Sequence, residues 1–311
     1  MKKLGLFTAL LLAVNLLYAQ DALKKAREEN WKKIKRNDAD TSKNLWKKGG
    51  TFNLNANQGS LTNWAAGGDK FSLSAGATLS VFANYAKGRN AWDNTLDLAY
   101  GYVKTTSLGM RKSDDRIDLT TKYGYDIGSN WYASALFNLR TQFANGYLYT
   151  DTSRQLVSKF FSPAYILLSP GLDYKPNKEF SLFLSPVTGR WVVVLSDSLS
   201  ARGAYGVDTG RHVKSEFGAY LSANWNKEIM KNIVYKSKLE LFSNYKQNPG
   251  NVDVFWTNVL SMKVNKYLSA TVNLDMIYDD DVKVFENTKT GVMGPRLQIK
   301  QVIGIGFAAI F

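Results

Sequence analysis

The chain has 311 residues, with 40 Lys and Arg against 26 Asp and Glu, a formal net charge of +14 and no cysteine. The missing thiol excludes disulfides, thiolate metal sites and a cysteine-anchored lipid tail. The length holds one large all-β domain or two ordinary ones.

Residues 1–19 read as an export signal: Lys2 and Lys3 give a basic start, residues 4–17 an apolar core, and Leu17, Tyr18 and Ala19 a cleavage site before Gln20. That core is too short to span a bilayer and is the only continuous apolar run, which excludes a helical membrane protein. An exported chain without apolar helices is secreted, periplasmic or a closed barrel in the outer membrane. Export also removes the chain from nucleic acid.

Residues 20–49 differ from the rest. The stretch carries Lys24, Lys25, Arg27, Lys32, Lys33, Lys35, Arg36, Lys43, Lys47 and Lys48 against five acids, and Ala22, Leu23, Ala26, Trp31 and Ile34 give it a weak helical stripe. It is expected as a basic periplasmic segment. Either it is a solvated tail or, with Trp31 and Trp46 flanking lysine pairs, it touches anionic lipid, peptidoglycan or a partner.

From residue 50 to residue 311 the pattern changes to period two. After a short strand over 52–56, the clearest segment is 71–85, where Phe71, Leu73, Ala75, Ala77, Leu79, Val81 and Ala83 face one way and Ser72, Ser74, Gly76, Thr78 and Ser80 the other. Similar alternation runs over 92–104, 116–127, 131–143, 164–174, 180–186, 213–225, 233–245, 252–264, 268–278 and 296–311. The count is about 12 strands, an even number as single-chain bacterial barrels require.

The joins near 87–90, 128–130, 175–177, 226–231 and 265–266 read as tight turns. Longer connections are expected over 58–69, 105–115, 145–163, 187–212 and 279–295, with a briefer one near 247–251. Sorting by parity is the mark of a membrane barrel with both termini in the periplasm, whereas a Greek-key sandwich has no reason to show it. Tyr and Trp gather near segment ends (Tyr85, Trp92, Tyr123, Tyr125, Trp131, Tyr174, Trp225, Tyr245, Trp256, Tyr278), as interfacial girdles do. The polar face mixes both charge signs, with Asp97, Asp118, Lys122, Arg140, Glu216, Lys236, Lys238, Glu240 and Lys300, so ion pairs and water can fill a lumen there.

In the last segment Leu297, Ile299, Ile303, Ile305, Phe307, Ala309 and Phe311 share one face, with Gln301 as the single polar interruption. Left free, such an edge invites pairing with other chains, and barrel closure removes it. Ending on an aromatic, it resembles the terminal strand by which outer-membrane barrels are recognised and closed, so a barrel assembly machinery is an expected partner beside outer-membrane lipid and lipopolysaccharide.

The run Trp46-Lys47-Lys48-Gly49-Gly50, followed by residues 57–68 (Asn-Gln-Gly-Ser-Leu-Thr-Asn-Trp-Ala-Ala-Gly-Gly), is similar to the hallmark of an uncharacterised family of exported Bacteroidota proteins, a domain of unknown function. The likeness extends over most of the mature chain, including Leu184-Ser185-Pro186 and residues 203–207. It implies an envelope protein of a Gram-negative cell and no activity, so no catalytic residue is carried over. The paired glycines and asparagines permit tight turning. The stretch reads either as a loop folded into the barrel mouth or as a ligand lip built from Asn57, Gln58, Ser60, Asn63 and Trp64, amides beside an aromatic.

Catalytic signals are few. His212 is the only histidine, with Ser215 and Glu216 close by in sequence, a spacing that fits no hydrolase motif. Asp279, Asp280 and Asp281 form an acidic cluster suited to a divalent cation or to a solvated turn. There is no zinc constellation, nucleotide motif or internal repeat, so no cofactor or metal site is expected. The expected protein is an all-β, antiparallel up-and-down transmembrane barrel of the outer membrane. It is non-enzymatic, and acts as a narrow channel or binding module for small solutes or as a structural envelope component. The alternatives are an outer-membrane lipid hydrolase centred on His212 and a soluble periplasmic β protein that binds a ligand.

Overall fold

The computed structural model describes residues 45–60, 71–149, 153–265, 268–279, 285–286 and 293–310. Residues 1–19, read above as an export signal, the stretch read as a basic segment through residue 44, Asn63, Trp64, Asp280, Asp281 and Phe311 lie outside them. In chain order the strands are β1 (Trp46–Ser60), β2 (Phe71–Lys87), β3 (Asn90–Thr105), β4 (Gly109–Gly128), β5 (Trp131–Thr141), β6 (Gly146–Tyr149), β7 (Arg154–Ser158) and β8 (Ala164–Tyr174). They continue with β9 (Phe180–Val193), β10 (Val213–Met230), β11 (Ile233–Asn244), β12 (Val252–Lys263), β13 (Leu268–Tyr278), β14 (Phe285–Glu286), β15 (Met293–Gly294) and β16 (Gln298–Ile310). One short helix, α1 (Asp197–Ser200), lies between β9 and β10.

Twelve of these strands close a single antiparallel barrel in the order β1-β16-β13-β12-β11-β10-β9-β8-β5-β4-β3-β2. The small hairpins β6–β7 and β14–β15 stand outside that ring. The expected closure by the last strand is found: Thr51 pairs with Ile310 and Asn55 with Gly306 across β1 and β16. Glycine is needed at 306, because an added Cβ would run into the Asn55 side chain and the Leu54 carbonyl. With every barrel edge paired, the terminal strand offers no template to another chain.

The sequence boundaries hold for most strands and fail at four places for definable reasons. β1 starts at Trp46 and runs to Ser60, so part of the stretch read as basic segment, and the first residues read as loop, are strand. β4 begins at Gly109 rather than near Arg116, leaving only a tight turn over 106–108. Charges at Arg111, Lys112, Asp114 and Asp115 suggested a loop, but a strand that projects past an apolar belt keeps its hydrogen bonds and wets its side chains at no penalty. β9 continues through Pro186 to Val193, because Pro170 and Pro186 lie where the β8–β9 and β9–β10 ladders shift register, at positions that need no ladder donor. β10 extends to Met230, which shortens its turn. Ser129 and Asn130 both take positive φ, 51° and 66°, the geometry of the two-residue hairpin joining β4 to β5.

Connections at the end where β1 starts and β16 stops are short: 88–89, 129–130, 175–179, 231–232 and 264–267. At the other end lie 61–70, 142–163 with the β6–β7 hairpin, 194–212 with α1, 245–251 and 279–297, besides the 106–108 turn.

Candidate functional site

The alternation places apolar side chains outside. Phe52, Leu54, Leu73, Leu168, Leu172, Ile299, Ile303, Ile305 and Phe307 are exposed large hydrophobics, while Thr51, Asn53 and Asn55 between them are half-buried and face in. Aromatic rings collect at two levels of this outer face. At the short-turn end Trp46 lies 5.3 Å from Tyr85 and 5.9 Å from Trp92 between ring centroids, Trp131 lies 4.8 Å from Tyr174, and the Arg89 guanidinium sits over Tyr125. At the long-loop end Tyr100 packs against Tyr102 and Phe143, and Phe217 against Tyr245. Tyr100 and Tyr102 follow Trp92 on β3 by eight and ten residues. At about 3.4 Å per residue and a tilt of about 40°, the two levels are roughly 21–26 Å apart, close to the apolar band of a membrane barrel.

Inside, a belt of charge crosses the lumen at mid-height. One register row runs Thr51, Ser80, Asp97, Asp118 and Arg140 across β1 to β5. Arg140 Nε donates to Asp118 Oδ2 at 2.9 Å, and its Nη2 reaches Glu240 Oε2 on β11, four strands further round, at 3.4 Å. Lys238 Nζ binds Glu240 Oε1 at 3.1 Å, and Asn138 donates to Asp118 Oδ1 at 2.6 Å. The Tyr220 hydroxyl donates to the same Glu240 carboxylate. With Asp97 and Arg116 within electrostatic reach, three carboxylates meet three cations and the belt is neutral. Groups buried this way hold together only because each finds partners in the others.

On the β5-β8-β9-β10-β11 side of the belt the lumen is filled. Leu136, Phe183, Tyr220 and Phe242 form a buried cluster with Leu167 packed on it, and Phe183 is 1% exposed. Below it, toward the short turns, Asp173 is fully buried between Lys122 and Lys175, and Lys175 also pairs with Asp93 at 3.6 Å and covers the Tyr132 ring. Burial works against the Lys175 ammonium, but Asp93 and Asp173 outweigh it and hold its pKa above the ordinary lysine value. Above the cluster Arg190 is bound by Glu216 and by Asp253 at 2.7 Å, with its guanidinium 4.2 Å from the Phe242 ring centroid. Lys214 and Asn244 complete the Glu216 shell.

The loop after β9 closes that half from the long-loop end. Val194, Leu199 and Val207 pack on Val192, with Leu156, Tyr165, Ala204 and Tyr205 around them. Arg202 donates to the Leu156 carbonyl at 2.6 Å and Ser196 N to Ser162 Oγ at 2.8 Å, tying α1 to the β6–β7 hairpin and the segment after it. Burial pushes the Tyr205 phenol up to about 12, so it keeps the proton that it donates to the Val157 carbonyl.

The other half has a different lining. Register places Thr51, Asn53 and Asn55 of β1 opposite Ser80, Thr78 and Gly76 of β2, and Gly304 of β16 opposite Thr271 of β13. Thr271 in turn faces Ser261 of β12. These groups are short, and those of β1 and β2 are half-exposed to water, so a polar furrow runs along this wall beside the belt. Asn53 donates to Thr78 at 3.2 Å, and Asp275 and Lys300 are cross-strand partners at the long-loop end.

Of the residues read as a ligand lip, Asn57, Gln58 and Ser60 end β1 opposite Ser74, Leu73 and Phe71, at the long-loop mouth of the furrow. Asn63 and Trp64 lie outside the described residues. His212 Nδ1 is 2.8 Å from the Val194 carbonyl and its Nε2 is 3.6 Å from Asp197. Glu216 faces the lumen and is taken by Arg190 and Lys214, whereas Ser215 is its neighbour on the opposite face of β10. These three groups therefore do not assemble into a triad. Among the described residues no group of three or more His, Cys, Asp or Glu side chains is placed to hold a metal ion. Sequence reading found Asp97, Asp118, Arg140, Lys238 and Glu240 of the belt and missed Arg116, Asp173, Lys175, Arg190 and Asp253. The register shift at Pro186 switches the inward set of β9 from Ser181, Phe183 and Ser185 to Thr188, Arg190 and Val192, so unbroken alternation would have pointed Arg190 outward.

Among solved structures the chain is similar to an outer-membrane channel from Pseudomonas putida F1, at 12% identity and a TM-score of 0.40 over 90% of this chain and 100% of that one. It is also similar to the translocator domain of the autotransporter NalP from Neisseria meningitidis, at 10% identity and a TM-score of 0.39 over 94% and 96%. A third likeness is to outer membrane phospholipase A from Escherichia coli, at 10% identity and a TM-score of 0.34 over 83% and 95%. No curated protein matches the sequence. Residues 56–147, from the end of β1 into β6, match the family described as "Protein of unknown function (DUF3078)".

Proposed function

We propose that this chain is an outer-membrane barrel and acts, without catalysis, as a narrow channel for small polar solutes. The observation that carries the reading is the divided lumen: one half is packed shut, and the other keeps a furrow of short hydroxyl and amide side chains open to water. An apolar outer face with aromatic levels one membrane thickness apart supports the bilayer setting. The termini and short turns then face the periplasm and the longer connections face outward, where lipopolysaccharide is the surrounding lipid. Strand β16 is the segment that an assembly machinery would read. Asn57 continues the parity of Asn53 and Asn55 to the outer mouth, where a solute meets it first, whereas Gln58 and Ser60 share the register of the outward Leu54 and Leu73.

Two measurements test this. The chain should fractionate with the outer membrane and migrate faster on unheated than on heated gels, and recovery from the soluble periplasm would overturn the barrel reading. In planar bilayers it should conduct in small steps, and Gly76→Trp or Thr78→Trp should reduce the step severalfold by filling the furrow. Absence of conductance from folded protein would leave a structural envelope barrel as the reading.

A further inference from the structure

At the long-loop end of the furrow a cavity of about 230 Å³ opens between β4 and β16. Its walls are polar throughout: two carboxylates from Asp114 and Asp115, two ammonium groups from Lys112 and Lys300, and the amide and hydroxyls of Gln142, Ser113 and Ser158. A β-bulge builds it. The β3–β4 register shifts between Gly101 and Tyr102, which leaves Ser113 as the extra residue beside Asp114. Bulges of this kind re-aim side chains next to binding sites. Gly101 belongs to the same device, since a Cβ there would come 2.9 Å from Ser113 Oγ.

The two ion pairs of the cavity differ in kind. Lys112 is fixed, donating to Asp115 Oδ2 and to the Ala144 carbonyl, each at 2.7 Å, while Asp115 also accepts from the backbone N–H groups of Phe143 and Ala144. Lys300 and Asp114 meet at 3.0 Å with 48% and 37% of their side chains exposed. They come from strands separated by β1, β2 and β3, so the pair spans the mouth rather than joining neighbours. An exposed pair of this sort contributes little, because water and salt already screen it. It exchanges readily for a ligand that brings both charges itself.

We propose that this cavity is an entry site for small zwitterions of amino-acid to dipeptide size. The ligand carboxylate takes the Lys300 ammonium and the ligand ammonium takes the Asp114 carboxylate, while the Lys112–Asp115 pair stays as the fixed floor. The cavity carries two charges of each sign, so a zwitterion leaves it neutral. A simple anion strands Asp114, and a simple cation strands Lys300. Weak binding suits an entrance, since a solute must leave it to pass. The proposal rests on the channel reading for its purpose and on the cavity alone for its geometry.

The test uses the full chain folded in detergent micelles, with saturation-transfer NMR on glycylglycine, acetate and ethylamine. Glycylglycine should bind at least tenfold more tightly than either single-charge probe. Lys300→Gln and Asp114→Asn should each weaken it at least tenfold, and the double exchange K300D with D114K should restore it. Heat-shifted gel mobility checks that each variant is folded, and Lys300→Met stands in for any that is not. Equal binding of the three probes, or wild-type binding by both single variants, would overturn the site. Conductance without glycylglycine binding overturns this site alone, and glycylglycine binding without conductance overturns the channel reading alone.

Discussion

The two halves of the barrel share one outer face and differ inside. On β5 and β8 to β11 the inward positions hold Leu136, Phe183, Tyr220 and Phe242 with the charges of three ion-pair networks, and Ser181 and Ser222 are each 3% exposed. On β1, β2, β13 and β16 many of the same positions hold Ser, Thr, Asn and Gly, with Phe82 toward the short turns and Asp275 and Lys300 toward the long loops, and Thr51, Asn53, Asn55, Gly76, Thr78 and Ser80 stay half-exposed. Alternation makes the barrel, and it is indifferent to what the inner set contains so long as the outer set is apolar. Inner side-chain size decides whether a stretch of wall becomes core or channel. Arg140 is the divider, because its length lets one guanidinium join carboxylates on opposite walls.

The largest effect should come from breaking that divider. Arg140→Ala leaves Asp118 and Glu240 buried with fewer partners, and a loss of about 3–5 kcal/mol is expected in urea unfolding in micelles. Phe183→Ala, in the filled half, should lose about 3–5 kcal/mol by opening a cavity. Neither side chain lines the furrow, so conductance should survive Phe183→Ala in whatever fraction folds.

The outer face gives the next largest effect. Ile303→Arg places a charge where the strand is apolar and exposed, with about 2–4 kcal/mol expected at the midplane. Assembly into membranes should fall sharply. Gly304→Ser, one position on, faces the furrow, where an added Cβ meets Asn55 and Thr271 at an ordinary 3.5 Å, and assembly should be near normal. Similar insertion of the two variants would show that the faces are assigned the wrong way round.

The smallest effect is expected in the furrow. Thr78→Ala gives up one hydrogen bond, from Asn53, at a water-accessible position, so stability should change by less than about 1 kcal/mol. A loss as large as that of Phe183→Ala would mean that the furrow is packed.

Much of this was legible in the sequence because alternation is local. Period two gave the strands, and their register set Leu73, Phe137, Ile303 and Ile305 outward and Ser74, Ser80, Arg140 and Lys300 inward, as the pairing has them. Strand ends past the apolar belt were less legible. There charges such as Arg111 and Asp115 resemble a loop, and Pro186 resembles a stop although it sits at a register shift. Partners across the lumen were not legible, since Arg140 and Glu240 are a hundred residues apart and nothing in either strand announces the other. The division of the lumen therefore emerges only with the closed ring.

That division is open to one direct measurement. The chain has no cysteine, so single introduced thiols report their own surroundings without background. Thr78→Cys and Asn53→Cys mark the furrow, and Ser181→Cys and Ser222→Cys mark the filled half, all inward-facing. In intact outer membranes a small charged methanethiosulfonate should label the first pair and leave the second unmodified until the protein is unfolded. Protection of all four would contradict an open furrow, and labelling of all four would contradict a filled half.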